Sequence, residues 1–208
     1  RFTLADLLVI DTDHTAPSGQ VDLAGTASVS LLSLEGAPVV GAVWAVRGMC
    51  SLARALSDQG RHDEAARAAA EARDQAVKSG FKNLVPESNL AAAEILVSAG
   101  KHKEALEAYT KIAQECDPRD DTTKARAYNG IGDALLGANR TQDALLAYLR
   151  VRVLYFKAED ELPRALYGAA RCFTLLKKPD EVRELKDLLK KEHGRSIWAL
   201  KAQKELGA

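Results

Sequence analysis

The stretch GKHKEALEAY at residues 100–109 decides the fold, because the near copy NRTQDALLAY follows at residues 139–148. Two weaker copies, GRHDEAARA at 60–68 and KKPDEVREL at 177–185, extend the series in both directions. Each copy has a small side chain at the same place, at intervals of 40, 39 and 38 residues: Ala65, Ala105, Ala144 and Val182. A regular period of this length indicates stacked copies of one supersecondary unit, none of which buries its apolar face alone.

The residues around these small side chains indicate a helical hairpin in each unit. With Ala65 at position 20, the units begin at Val46, Pro86, Ala125 and Pro163. Small residues then recur at positions 8 and 20, where two helices approach closely, and large residues at positions 4, 7 and 24 fill the space between them. The third unit is the clearest, with Tyr128 at position 4, Ile131 and Gly132 at 7 and 8, and Tyr148 at 24.

This pattern resembles the tetratricopeptide repeat family, which has a large residue at position 4, Leu-Gly at 7 and 8, Ala at 20, an aromatic at 24 and Ala at 27. The resemblance covers residues 46–194 and implies an all-α protein, an α-α superhelix in the form of a right-handed solenoid of antiparallel helical hairpins. We expect four repeats and a C-terminal capping helix in the stretch SIWALKAQKEL, with these bounds: 46–85, 86–124, 125–162, 163–194 and 195–208.

The units exceed the 34-residue period of that family, and the added length lies after position 24. Either the second helix of each hairpin or the loop that follows it is longer, and VRVLYFKAEDE at 151–161 favours the longer helix. Within the hairpin turns, Gly60, Gly100 and Asn139 suit the left-handed backbone that ends a helix. Thr141 is expected to be an N-cap and Pro179 to lie in a first helical turn.

Residues 1–45 break the pattern and carry a net charge of −4. One interpretation is a degenerate extra hairpin that caps the array. The other is a partner-binding segment, because residues 15–46 contain only two acidic side chains and expose an adhesive apolar surface if uncovered. Disorder of this segment is the remaining alternative.

Composition and motifs exclude several function classes. The net charge of zero gives no argument for nucleic acid or an anionic membrane, and the longest apolar run, 37–46, is too short to span a bilayer. The three cysteines have neither zinc-site nor disulfide-framework spacing. No nucleotide-binding, hydrolase or metalloprotease motif is present. We therefore expect a protein without catalytic residues, metal, cofactor or small-molecule substrate.

Two further expectations concern histidines and cell compartment. His62 and His102 occupy the same repeat position in neighbouring turns, too far apart to share a zinc ion, and are expected to be solvent-exposed. The expected location is the cytoplasm. The alternative is export after removal of a signal peptide, because the sequence starts at Arg1 without methionine.

The resemblance also implies where a partner binds, since the first helix of each repeat lines a concave groove through positions 2, 5, 9 and 12. The charged, amide and aromatic residues at these positions are the groove candidates: Arg47, Arg54, Glu87, Glu94, Arg126, Asn129, Asp133, Arg164, Tyr167 and Arg171. Some members of the family clamp the C-terminal carboxylate of a chaperone, but Leu90 and Glu94 stand where that clamp has Lys and Asn. A groove for an extended or helical peptide of mixed charge is favoured, and the alternative is a merely solvated polar surface.

The sequence thus predicts an adaptor that binds a protein or peptide partner in a multiprotein assembly. Two alternatives stay open at this stage. In the first alternative, the chain is a structural subunit that is buried permanently in a larger complex. In the second, it is a regulatory repeat domain of a larger protein. The identity of the partner does not follow from the sequence.

Overall fold

Residues 39–81 and 83–206, the part of the chain that the computed structural model describes, form nine α-helices joined by short connections. Residues 1–38, Pro38 among them, lie outside the described residues. Most of the N-terminal segment 1–45, to which the interpretations above refer, is therefore not described. The helices have these bounds: α1 Val39–Asp58, α2 His62–Lys78, α3 Val85–Ser98, α4 His102–Glu115, α5 Asp121–Gly137, α6 Thr141–Leu154, α7 Leu162–Leu175, α8 Pro179–His193 and α9 Ile197–Glu205.

Three-residue turns join the two helices of each hairpin, α1 to α2, α3 to α4, α5 to α6 and α7 to α8. Gly60, Gly100 and Asn139 have φ values of 78°, 75° and 61°, which confirms the predicted left-handed turn residues. Lys177 takes the same conformation in the fourth turn, with φ of 57°. A turn this short returns the chain beside itself, so the two helices of each hairpin are antiparallel.

The hairpins stack into two layers. Each odd-numbered helix contacts the next odd-numbered helix, from α1 to α9, whereas no described even-numbered helix contacts another even-numbered one. The odd helices therefore form one continuous layer, called the inner layer, and the even helices form a second layer, called the outer layer. Helix α9 packs on α7 and α8, in the place that the first helix of another hairpin takes. The structure confirms an all-α solenoid.

Buried tyrosines lock neighbouring hairpins together. The ring of Tyr148 on α6 lies against Gly132 of its own hairpin and Gly168 of the next, where an added Cβ comes within 2.5 Å of the ring in each case. In the same way, a Cβ added at Gly130 comes within 2.2 Å of the ring of Tyr109 on α4. Glycine at position 6 of one unit thus makes room for the tyrosine at position 24 of the unit before it.

Two details of the sequence reading are wrong. Helix α6 ends at Leu154, so the extra length of the third unit lies in the loop 155–161 and not in a longer helix. The ring of Tyr155, at the start of this loop, stacks on Tyr128 at 5.6 Å between centroids, which holds the chain away from the helical path. Thr141 is the first helical residue and not the N-cap, a position that Arg140 occupies without a side-chain capping bond.

Three other helix ends have clear local causes, and the first of them, Pro179, was predicted from the sequence. Pro179 begins α8, where its missing N–H costs no helical hydrogen bond. The Ser196 hydroxyl caps α9 by accepting a hydrogen bond from the Ala199 N–H at 3.1 Å. Gly80 follows the end of α2 with φ of 73°, as a left-handed stop.

Replacing Lys177 with glycine is expected to stabilise the chain by about 0.5 to 1 kcal/mol, because a left-handed backbone costs a side-chain-bearing residue about 1–2 kcal/mol. For a chain of this size the melting temperature then rises by about 1–4 °C, measured by circular dichroism. The control is Lys190→Gly in the interior of α8, which is expected to cost about 1 kcal/mol. A loss of stability in both variants contradicts the prediction.

Candidate functional site

The inner face, defined as the surface formed by positions 2, 5, 9 and 12 of α1, α3, α5 and α7, carries charges that pair from one hairpin to the next. Between the first two hairpins the partners occupy the same repeat position. Arg47 Nε lies 3.4 Å from Glu87 Oε2, and Arg54 Nε donates to Glu94 Oε2 at 2.6 Å. The structure brings these four sequence candidates together as two ion pairs across α1 and α3.

A second pairing rule holds from α3 onward, where an arginine at position 2 reaches back to a carboxylate at position 9 of the preceding unit. Arg126 Nη2 lies 3.7 Å from Glu94 Oε1, and Arg164 Nη2 donates to Asp133 Oδ2 at 2.6 Å. Asp133 also accepts a hydrogen bond from the hydroxyl of the buried Tyr148 at 2.6 Å. These ion pairs and hydrogen bonds connect adjacent hairpins.

Asn129 is not an accessible groove residue, contrary to the sequence expectation, because its side chain is fully buried. Its amide donates to the backbone oxygen of Glu161 at 3.1 Å and to Glu161 Oε2 at 3.0 Å. Glu161 also lies 3.7 Å from Arg126. Sequence reasoning missed Glu161 because it assigned the loop before α7 to a helix, and only the fold brings this carboxylate to the inner face.

Tyr167 is likewise withdrawn from solvent, with 6% of its surface exposed, because α9 covers it. Its ring packs on that of Trp198 with 5.4 Å between centroids, and its hydroxyl donates to Glu205 Oε2. Burial, and after it the hydrogen bond that the hydroxyl donates to Glu205, raises the pKa of Tyr167 to about 12. The predicted aromatic anchor thus belongs to the attachment of α9, and the more accessible aromatic ring beside it is Trp198.

The C-terminal end of the inner face is a cluster of cations and aromatic rings. Arg171 is exposed, forms no ion pair within the described residues, and lies over the Tyr167 ring at 5.8 Å. Lys201 lies over the Trp198 ring at 4.6 Å from its centroid, and the guanidinium of Arg164 lies 5.8 Å from the same centroid. We call Arg171, Trp198 and Lys201 the terminal cluster. Trp198 and Lys201 were missed from sequence because α9 was read only as a cap.

The cysteines near the inner face are not activated nucleophiles. Burial raises the pKa of the Cys172 thiol to about 11, and burial also raises the pKa of Cys50. At neutral pH both are therefore protonated thiols, the weakly nucleophilic form.

The described histidines are less exposed than the sequence predicts. His62 and His102 are half-buried, with Nδ1 of His62 3.4 Å from the Ser57 hydroxyl and the His102 ring packed against Gly137. Within residues 39–81 and 83–206, no three His, Cys, Asp or Glu side chains are grouped to hold a metal ion. Among the helices described, none has the length and apolar character needed to cross a membrane.

Comparison with known proteins agrees with this geometry. Residues 50–121, which run from within α1 to the start of α5, match the family model of the tetratricopeptide repeat. No curated protein matches the chain. The hairpin stack and the buried small residues at positions 8 and 20 agree with this match, so residues 50–121 are similar to the tetratricopeptide repeat, and the same hairpin arrangement continues through α8.

Proposed function

We propose that this protein is a non-enzymatic adaptor that holds a segment of a protein partner on its inner face, with the terminal cluster as the main anchor. Tetratricopeptide repeats generally mediate protein–protein interactions. The observation that carries the proposal is the contrast along the inner face. The inner-face arginines of the first three hairpins are paired with carboxylates, whereas Arg171 and Lys201 are exposed without an ion pair in the described residues.

The chemistry of the terminal cluster favours a partner segment that carries a carboxylate next to an apolar side chain. Arg171 and Lys201 attract the carboxylate, and the half-buried Trp198 ring beside Lys201 offers an apolar contact. Arginine and tryptophan are also the residue types most often found at the energetic centre of protein interfaces. Arg164 is excluded as an anchor because Asp133 already holds it.

The test is the charge reversal Arg171→Glu with Lys201→Glu, compared with wild type for the proteins that each captures from an extract of the source cells. Both side chains are exposed, so the variant is expected to keep its melting temperature while captured partners fall at least tenfold. The matched control reverses two exposed cations of the outer layer, Arg73→Glu with Lys111→Glu. If quantitative mass spectrometry shows equal capture by wild type and both variants, the assignment of the inner face as the partner-binding surface is wrong.

A second candidate, a permanently assembled structural subunit, is favoured by large apolar side chains that remain more than half exposed, among them Trp44, Ile197 and Leu200. Such a subunit is expected to self-associate when isolated. A monodisperse monomer in sedimentation velocity argues against it and for the adaptor. The sequence-based suggestion that residues 15–46 mediate this association concerns residues that lie mostly outside the described part.

A further inference from the structure

The outer helix of the third hairpin, α6, exposes apolar side chains to solvent. Leu146, Val153 and Leu154 are 66%, 66% and 57% exposed, and Phe156 in the following loop is 59% exposed. Leu146 and Val153 are seven residues apart and share one face of the helix. We call these four residues the α6 stripe. Its helical part, from Leu146 to Leu154, corresponds to on the order of 12 Å.

The repeat itself provides the comparison that makes the α6 stripe unusual. Leu146, Val153 and Leu154 occupy positions 22, 29 and 30 of the third unit. In the other three outer helices every residue at these positions is polar or charged: Arg67, Asp74 and Gln75; Glu107, Gln114 and Glu115; and Glu184, Lys191 and Glu192. Eight of these nine side chains are exposed and the ninth is half-buried. Contact with solvent explains why these positions are polar on the other three outer helices, but it does not explain the apolar residues on α6.

Cations surround the α6 stripe without neutralising partners. Arg150 lies between Leu146 and Val153 on the same face, and its guanidinium donates to the Tyr128 hydroxyl at 3.0 Å and lies 4.9 Å from the centre of that ring. Arg152 and Lys157 are exposed, and none of the three cations forms an ion pair within the described residues. The carboxylate of Asp143, in the first turn of α6, is already bound by Arg140 at 2.7 Å.

We propose that the α6 stripe is a second binding surface, which takes an amphipathic helix of a protein partner whose apolar face is flanked by acidic residues. Exposed leucine, valine and phenylalanine side chains at helical spacing match the apolar face of such a helix. Arg150, Arg152 and Lys157 match acidic flanks, and this complementarity determines orientation and association rate. The surface lies on the outer layer, so it is separate from the inner face and its terminal cluster.

The test uses the full chain and a synthetic peptide probe. The probe is a fluorescently labelled helical peptide with leucines at i, i+4 and i+7 and glutamates on both flanks, and a sister peptide has lysine in place of each glutamate. The variant Leu146→Glu with Val153→Gln gives α6 the residues that α4 has at these positions, Glu107 and Gln114. Fluorescence anisotropy is expected to show at least tenfold weaker binding of the acidic peptide to the variant, with an unchanged melting temperature.

Two controls separate this surface from the inner face. Val77→Gln replaces a similarly exposed valine on α2, and the Arg171→Glu with Lys201→Glu variant alters only the terminal cluster. Both are expected to bind the acidic peptide as wild type does. Loss of peptide binding in the terminal-cluster variant assigns the peptide to the inner face and overturns this proposal while supporting the previous one.

Three further outcomes also overturn the proposal. The first is equal affinity of wild type for the acidic and basic peptides, or no binding of the acidic peptide at millimolar concentration. The second is binding to anionic phosphatidylserine vesicles, lost in the α6 variant, without binding to the peptide, which assigns the stripe to a membrane surface. The third is a wild-type dimer in sedimentation velocity that the α6 variant abolishes, which makes a second copy of the chain the occupant.

Discussion

Replacing Gly168 with alanine is expected to lower the free energy of unfolding by about 3 kcal/mol. The added Cβ comes 2.5 Å from the ring of Tyr148, which is fully buried and has no free space into which to move. An added Cβ at Gly132 comes equally close to the same ring, so the tyrosine is held tightly by two hairpins. Urea unfolding monitored by circular dichroism measures the loss as a lower midpoint at constant slope.

The critical observation is whether Gly168→Ala lowers or raises the free energy of unfolding, because replacing a glycine with alanine inside a helix ordinarily stabilises a protein. Gly48→Ala in α1 is the matched control, since an added Cβ there meets no atom within 4 Å. It is expected to raise stability by about 0.5–1 kcal/mol. A gain in both variants shows that Tyr148 is not confined as described.

A double variant identifies the cause at the equivalent contact. Tyr109→Ala alone is expected to cost about 3–5 kcal/mol by leaving a cavity. In that background Gly130→Ala is expected to cost nothing, because the ring against which its Cβ comes to within 2.2 Å is gone. The first unit already has this combination, with Ala69 at the tyrosine position and Ala91 at the glycine position of the next unit.

Replacing Asp133 with alanine is the second large expected effect, a loss of about 2 kcal/mol. The change removes the carboxylate that Arg164 and the Tyr148 hydroxyl share, each at 2.6 Å, and both partners lie mostly out of solvent. Asp133→Asn keeps an acceptor for the tyrosine hydroxyl but removes the charge, so it is expected to lower the free energy of unfolding by about half as much as Asp133→Ala does. Thermal and urea unfolding of the three proteins provide the measurement.

The control for Asp133 is an ion pair in solvent. Glu115→Ala removes the partner of Lys111, at 3.9 Å, where both side chains are mainly exposed. Surface pairs of this kind contribute at most about 0.5 kcal/mol. If Asp133→Ala changes stability no more than Glu115→Ala does, the inner-face pairs do not hold the hairpins together.

The hairpin stack was predictable from sequence because its constraints are local. Gly60, Gly100 and Asn139 are residue types that a left-handed turn selects, and the small residues at positions 8 and 20 report close helix contact. Lys177 takes the same backbone conformation but is not a residue type that this conformation selects, so no sequence signal marked it.

The state of the inner face was less predictable, because it depends on side chains that lie 31–40 residues apart. Repeat position identified the arginines and carboxylates of the inner face, but not which of them pair. The burial of Asn129 depends on Glu161, in a loop that the sequence reading made helical. A comparison of positions 22, 29 and 30 across the four units reveals the apolar residues of the α6 stripe from the sequence alone.

The two-layer arrangement has a mechanical consequence. Each hairpin contacts the next through both of its helices, since each outer helix packs on the inner helix that follows it and the inner helices also contact one another. The stiffness of each joint combines a buried tyrosine, which salt leaves unchanged, with partly exposed ion pairs, which salt screens. Ionic strength therefore weakens the joints between hairpins before it changes the fold of any single hairpin.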